Sequence, residues 1–175
     1  SALKDGWHHL AYLNTTDNWV SRTVTRTRDA SHHEVASYQA EAIFGALKAS
    51  GFSYVNTPGG STWWSGTQNV KYPAESIADK SGNCIDGTML FAAAFEALGM
   101  RPVLLYVPGH AFVGVRTWSN EDGLVGVETT MVKSSTFAQA SASADSTYIK
   151  HAFAGTLTEV DVQKARPLGI APAPM

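Results

Sequence analysis

The chain has 175 residues, of which 44% are apolar and 16% charged, and its net charge is −2. This length and apolar content predict one soluble domain with a full hydrophobic core. Because no run of like charge occurs and no apolar run reaches the ~18 to 20 residues of a membrane span, we expect neither a nucleic acid nor a membrane as a partner. A single cysteine excludes an internal disulfide, and neither compartment nor oligomeric state is indicated.

The first predicted helix follows Ser31–Glu34, which has the form of a capping box. Apolar residues then recur at helical spacing as far as Gly51. Residues 52–72 are rich in Gly, Pro and Asn and predict a long loop that carries Trp63 and Trp64. These two indoles either line a substrate cleft or pin the loop to the core.

The stretch from Ser81 to Gly99 contains the one cysteine, Cys84, where a loop gives way to a strongly apolar helix. A short helix that begins at Pro73 is predicted to lead into it. A thiol in the first turn of a helix is close to unpaired N–H groups and to the positive end of the helix dipole, which both favour thiolate. Cys84 is therefore a candidate nucleophile, and the alternative is a small residue of the core.

The pattern changes to strands after the Cys84 helix. Residues 103–107 are apolar throughout, 108–109 predict a turn, 111–118 alternate, and 124–130 predict a third strand. A helix followed by an antiparallel meander predicts an α+β fold, with one face of the sheet buried against the Cys84 helix.

The C-terminal part is predicted to add small elements. Residues 133–148 predict a short helix and a surface loop, and Leu157–Val160 predict an edge strand. Asp161 is expected to cap a short helix that runs through Arg166.

Two residues of the predicted strands have side chains that a thiol nucleophile needs, a base and a group that orients the base. They are His110 at the start of the second strand and Glu128 near the end of the third. A turn centred on Ser119 places Glu128 directly opposite His110 on the same face, whereas a tight Asp122–Gly123 turn places it on the other face. The interpretation of Cys84, His110 and Glu128 as a catalytic set requires the turn centred on Ser119.

Several segments together resemble the transglutaminase-like branch of the papain-type cysteine enzymes: Pro73–Ile77, Gly82–Asp86, Leu90–Gly99, Pro108–Val113 and Glu128–Thr130. A further segment, DVQKARPLGI at Asp161–Ile170, is similar to one in the transglutaminase-like domains of large bacterial multidomain proteins. The resemblance implies a papain-like fold in one domain over 1–175. This domain is expected to consist of a helical and loop lead-in at residues 1–72, a catalytic core at 73–130 and a C-terminal extension at 131–175.

The resemblance implies Cys84 as nucleophile, His110 as general acid/base and Glu128 as the group that orients the imidazole. The wider superfamily has Asp in the third position, so the strand has to offset the ~1 Å that the extra methylene of Glu128 adds. The first oxyanion donor is expected to be the Cys84 backbone N–H, with Gln68 or Asn83 as the second. Gln68 is favoured because its surroundings resemble those in related domains, and its alternative role is an exposed loop amide.

These residues predict an amide hydrolase or acyl transferase that acts on a peptide or protein amide through a thioester, with hydrolysis favoured. No cofactor or metal is expected, because the adjacent pairs His8–His9 and His32–His33 do not converge easily on one ion. Asp86 is expected to stabilise the helix start, with substrate contact as the alternative. Two other functions remain open: a binding or regulatory module that retains the fold, and a redox-sensing thiol.

Overall fold

A computed structural model of the chain describes residues 32–56, 69–117 and 123–169. Within these ranges the helices are α1 (His32–Ala49), α2 (Pro73–Asp79), α3 (Cys84–Ala97), α4 (Phe137–Phe153) and α5 (Val162–Ala165). The strands are β1 (Ser53–Tyr54), β2 (Ser81–Gly82), β3 (Arg101–Val107), β4 (His110–Arg116), β5 (Leu124–Val127) and β6 (Thr158–Asp161). Short 3-10 turns occupy Thr129–Met131 and Arg166–Leu168. The predicted α+β class is confirmed.

Several sequence predictions fall outside the described residues: the segment before Ser31, the cap at Ser31 itself, Trp63, Trp64, Gln68 and the turn at Ser119. None of the helices in the described ranges combines the length and apolar character that crossing a bilayer requires.

The helices that the sequence predicted before the sheet are present, and local signals explain their bounds. Helix α2 begins at Pro73, and the Tyr72 backbone N–H donates to the Glu75 carboxylate at 2.7 Å. Helix α3 begins at Cys84 and ends before Gly99, whose φ of 74° is a conformation that glycine adopts without a steric penalty.

The main sheet has the strand order β5-β4-β3-β6, and every neighbouring pair is antiparallel. Strands β3 and β4 form the predicted hairpin, in which Val107 pairs with His110 around a turn that contains Gly109. The predicted edge strand is β6, and Asp161 caps α5 by accepting a hydrogen bond from the Lys164 N–H. A separate two-stranded parallel sheet joins β1 to β2.

One face of the main sheet is buried against α1 and α3. Phe91 and Phe95 of α3 are fully buried, with ring centroids 5.9 Å apart. Phe44 of α1 lies against Phe91, and Val113 and Val115 of β4 belong to the same cluster. Aromatic rings dominate core energetics because each buries a large apolar area. This contact holds α3 against the sheet, and Cys84 in the first turn of α3 interacts with His110 at the start of β4.

The other face of the sheet packs against α4 through Leu105, Phe112 and Ala144. A Cβ placed at Gly126 of β5 would lie 2.8 Å from the Ala144 Cβ, so the close approach of α4 requires glycine in this strand. A helix was predicted here and is present, but the prediction of a short helix with a surface loop was wrong in length, because α4 has 17 residues and occupies most of residues 133–148. Thr136 caps it in a reciprocal capping box with Gln139, a signal that the Ser- and Ala-rich composition obscured.

The register between β4 and β5 also differs from the predicted one. Val113 pairs with Val127 and Arg116 with Leu124, a shift of two residues from the pairing that put Glu128 directly opposite His110. Because side chains alternate with a period of two, this shift leaves Glu128 on the predicted face. The third strand is also shorter than predicted, since β5 ends at Val127 and the chain enters a 3-10 turn.

Candidate active site

The first turn of α3 is held by a reciprocal cap. The Asn83 Oδ1 accepts hydrogen bonds from the N–H groups of Ile85 and Asp86, each at 3.0 Å. In return, the Asp86 Oδ2 accepts from the Asn83 N–H at 2.9 Å. Residue 82 has to be glycine, because a Cβ there would lie 2.7 Å from the Asp86 Cβ. The cap fixes the backbone of Cys84, which lies between its two members.

Asp86 also connects the helix start to the preceding segment. Its side chain is buried, and its Oδ1 accepts from the Lys71 backbone N–H at 2.8 Å. Both carboxylate oxygens therefore bind backbone N–H groups of the protein. Of the two predicted roles, these contacts support stabilisation of the helix start rather than contact with a substrate.

The Cys84 thiol is half-buried, and its sulfur lies within hydrogen-bonding reach of three donors. The hydrogen bond from His110 is the largest influence and lowers the pKa of the thiol, followed among the favourable contacts by the Ala111 and Ile85 backbone N–H groups. Together they outweigh burial, which raises the pKa. The Ala111 N–H is within reach of the sulfur because β5 has already ended. If the β4–β5 pairing continued, Thr129 would lie opposite Ala111, but Thr129 belongs to the 3-10 turn.

His110 lies between Cys84 and Glu128. Its Nε2 is 2.7 Å from the Glu128 Oε2, which leaves Nδ1 for the hydrogen bond with the thiol. The imidazole stacks near the Phe112 ring, with centroids 5.9 Å apart and planes inclined by 15°. The hydrogen bonds to Cys84 and then to Glu128 raise the pKa of His110 to about 9, against the opposing effect of burial.

Glu128 is the most buried of the three groups, with 5% of the residue exposed. Burial alone would raise the pKa of its carboxyl, but the His110 and Thr130 hydrogen bonds outweigh burial and lower the pKa overall. The Oε1 accepts from the Thr130 N–H at 3.1 Å and from the Thr130 Oγ1 at 2.7 Å. The 3-10 turn thus holds the Oε1 atom of Glu128 through Thr130, and the longer side chain presents its Oε2 atom to His110.

These shifts favour a pair of thiolate and imidazolium. The lowered pKa of the thiol favours its ionised form, and a pKa of about 9 keeps the imidazole protonated at neutral pH. At neutral pH both ring nitrogens of His110 then carry protons, so Nδ1 donates to the sulfur and Nε2 donates to Glu128. The arrangement supplies a nucleophile and an acid that can protonate a leaving group.

Tyr54 is a residue near this site that the sequence analysis did not single out. It pairs with Gly82 in the parallel β1–β2 ladder, two residues before Cys84, and 39% of it is exposed. Burial raises the pKa of its phenol, and the nearby charges of Cys84 and Glu128 raise it further. No sequence pattern identifies it, because two-residue strands have no recognisable period.

The structure thus brings Cys84, His110 and Glu128 together, with Asn83 beside them. Asn83 uses its Oδ1 as the helix cap, and its role as an oxyanion donor stays a prediction. Trp63, Trp64 and Gln68 fall outside the described residues. Within the described ranges, no group of three or more His, Cys, Asp or Glu side chains could hold a metal ion.

The chain was also compared with known proteins. No model of a known protein family matches it, and no curated protein was found to match it.

Proposed function

We propose that this protein is a thiol-dependent amide hydrolase or acyl transferase in which Cys84 is the nucleophile, His110 the general acid/base and Glu128 the orienting group. One observation carries the proposal: a chain of hydrogen bonds runs from a half-buried thiol through an imidazole to a buried carboxylate. A structural role alone gives no reason to hold these three groups in this order. The geometry is that of a nucleophile, a base and an orienting group.

The first half of the reaction forms a thioester. The Cys84 thiolate attacks the amide carbonyl carbon, an S–C bond forms, and the carbonyl electrons move onto oxygen. The Cys84 backbone N–H at the start of α3 is the first donor to this oxyanion, with Asn83 or Gln68 as candidates for the second. When the intermediate collapses, the C–N bond breaks and the His110 imidazolium gives its proton to the leaving amine.

The second half of the reaction restores the resting state. Neutral His110 removes a proton from water, the oxygen adds to the thioester carbonyl, and the S–C bond breaks to return the Cys84 thiolate beside imidazolium. An amine in place of water would complete a transfer. We favour hydrolysis of a peptide or protein amide, a peptidase or amidase activity, because the chain resembles the transglutaminase-like branch of the papain-type enzymes. The order of Cys on a helix, His on an antiparallel sheet and a carboxylate directly after its third consecutive strand supports a papain-like arrangement.

The test is the pH dependence of Cys84 alkylation by iodoacetamide. Cys84 is the only cysteine, so one added label in the intact mass reports on this thiol alone. We expect the rate to rise through an apparent pKa well below the ~8.5 of a free thiol. His110→Ala should move this pKa upward because it removes the largest cause of the shift. Arg166→Ala, which alters an ion pair at the other end of α3, is the matched control.

A direct assay of acyl transfer completes the test. Peptide p-nitroanilides should give a thioester on Cys84 that is visible as an added acyl mass, and Cys84→Ala should give none. A thiol that titrates like free cysteine and ignores His110→Ala would contradict the proposal. That result would favour the binding module.

A further inference from the structure

Strand β1, which contains Tyr54, lies next to two segments, one leading into Cys84 and one following Glu128. Strand β1 pairs in parallel with β2, which leads directly into the cap of α3, and Tyr54 is the residue opposite Gly82. The same strand contacts the 3-10 turn at Thr129–Met131, which follows Glu128 and holds its carboxylate. Tyr54 is therefore placed between the start of the nucleophile helix and the turn behind the carboxylate.

The phenol of Tyr54 is near these charges but not bonded to them. Burial, and then the charges of Cys84 and Glu128, raise its pKa, so it keeps its proton where thiolate and imidazolium coexist. Among the described residues, the donors to the sulfur are His110 and backbone N–H groups, and Glu128 accepts from His110 and Thr130. The phenol is thus close enough to feel the charge of the thiolate, but the hydrogen bonds to the thiolate come from other groups.

Tyr54 is partly exposed on the strand that pairs with the segment leading into Cys84. It is 39% exposed, and the neighbouring Val55 is exposed to the same extent. An aromatic ring on a strand offers a rigid apolar surface, and its hydroxyl offers one hydrogen-bond donor. Such a side chain distinguishes a bulky acyl group from a small one, because only the bulky group reaches the ring.

We propose that Tyr54 contacts the acyl part of the substrate next to the attacked carbonyl and selects acyl groups that carry a large apolar or aromatic side chain. This inference rests on the proposed function and adds the chemical class of the acyl group. A small acyl group, such as acetyl, reacts at the thiol without touching Tyr54.

The experiment compares two activated esters with the same leaving group, p-nitrophenyl acetate and the p-nitrophenyl ester of N-acetylphenylalanine. In each acylation, the S–C bond to Cys84 forms and the C–O bond breaks, so that nitrophenolate leaves with the electron pair. Nitrophenolate release gives kcat/KM for each ester, and the Cys84→Ala rate is subtracted as background. The variants are Tyr54→Ala and Tyr54→Phe. Phe153→Ala is the control, because Phe153 is an aromatic residue 91% exposed at the end of α4.

We expect the parent to prefer the phenylalanyl ester, and Tyr54→Ala to reduce the ratio of the two kcat/KM values about three- to tenfold, the range of one aromatic contact. The acetate rate and the iodoacetamide rate should stay within about twofold, since neither reagent reaches the ring and the ion pair is intact. Tyr54→Phe should keep most of the preference, and Phe153→Ala all of it.

Two outcomes would overturn the inference, and they are distinguishable. If Cys84 alkylation keeps its low pKa but Tyr54→Ala leaves the ratio unchanged, or slows both esters by the same factor, only the role of Tyr54 is wrong. If Cys84 in the parent reacts with neither ester and titrates like a free thiol, the proposed function fails and the role of Tyr54 fails with it.

Discussion

Helix α3 has an ion pair near each end, and the two pairs differ in burial. Near its start, His110 and Glu128 meet at 2.7 Å, with the carboxylate side chain only 7% exposed. Near its end, the Arg166 guanidinium donates hydrogen bonds of 2.8 to 3.0 Å to both oxygens of the Glu96 carboxylate, and both side chains are about one-third exposed. The second pair has more hydrogen bonds, whereas in the first pair the hydrogen bonds of His110 to Cys84 and then to Glu128 raise the His110 pKa to about 9.

The difference comes from what surrounds each pair. Arg166 and Glu96 are screened by water, and such exposed pairs contribute roughly 0–1 kcal/mol to stability. His110 and Glu128 lie beside a thiol at the positive end of the helix dipole, where charges interact more strongly. Burial and a third titratable group, rather than the number of hydrogen bonds, distinguish the reactive end of α3 from the structural end.

The largest expected effect is that of His110→Ala on amide hydrolysis. It removes the acid that protonates the leaving amine and the main cause of the low Cys84 pKa. We expect kcat/KM to fall by about 10²–10⁴-fold, the range of general acid–base catalysis. The measurement is the rate of peptide p-nitroanilide hydrolysis, with circular dichroism as the check on folding. A folded variant that retained most of its activity would remove the distinction between the two ends of α3.

Glu128→Gln should sharpen the comparison, because it keeps the size of the side chain and removes its charge. A hydrogen bond to a charged group contributes ~1.5–3 kcal/mol, so we expect a loss of about 10- to 100-fold in kcat/KM. In the parent, activity should rise as the thiol ionises and fall as His110 loses its proton near pH 9. Glu128 raises the His110 pKa, so the alkaline limb of the variant should lie at lower pH. An unmoved limb would contradict the assigned role.

Asp86→Ala tests the cap that positions Cys84. The substitution leaves the part-buried N–H groups of Asn83 and Lys71 without their acceptors, and the cost of an unpaired group rises to ~1–3 kcal/mol as its access to water is lost. We expect urea denaturation to show a loss of about 2–4 kcal/mol in the free energy of unfolding. Asp86→Asn, which keeps one acceptor oxygen, should lose less. Equal stability of all three proteins would show that the cap contributes little.

The smallest effect is expected from Arg166→Ala at the exposed end of α3. It should lower the free energy of unfolding by less than about 1 kcal/mol and leave hydrolysis within about twofold of the parent. Thermal denaturation and the p-nitroanilide assay measure the two quantities. A loss of activity as large as that of Glu128→Gln would mean that the two ends of α3 are coupled.

Much of the local structure was predictable because its signals lie close together in the chain. The start of α3 at Cys84, the Pro73 helix and the hairpin around Gly109 depend on contacts between near neighbours. The candidate residues Cys84, His110 and Glu128 were identified from residue type, order and resemblance. The even shift in the β4–β5 register did not separate them, since it preserves the face.

The sequence by itself determined where α3 and the β3–β4 hairpin form, because capping and hydrophobic periodicity act over a few residues. Only the tertiary structure decided how these elements meet. The end of β5 at Val127 leaves the Ala111 N–H free of a strand partner on that side and within reach of the Cys84 sulfur, and the pairing of β1 with β2 places Tyr54 opposite Gly82, two residues before Cys84. Such contacts join residues far apart in the chain. The alignment of the paired strands depends on how their side chains pack, which a local sequence pattern does not predict.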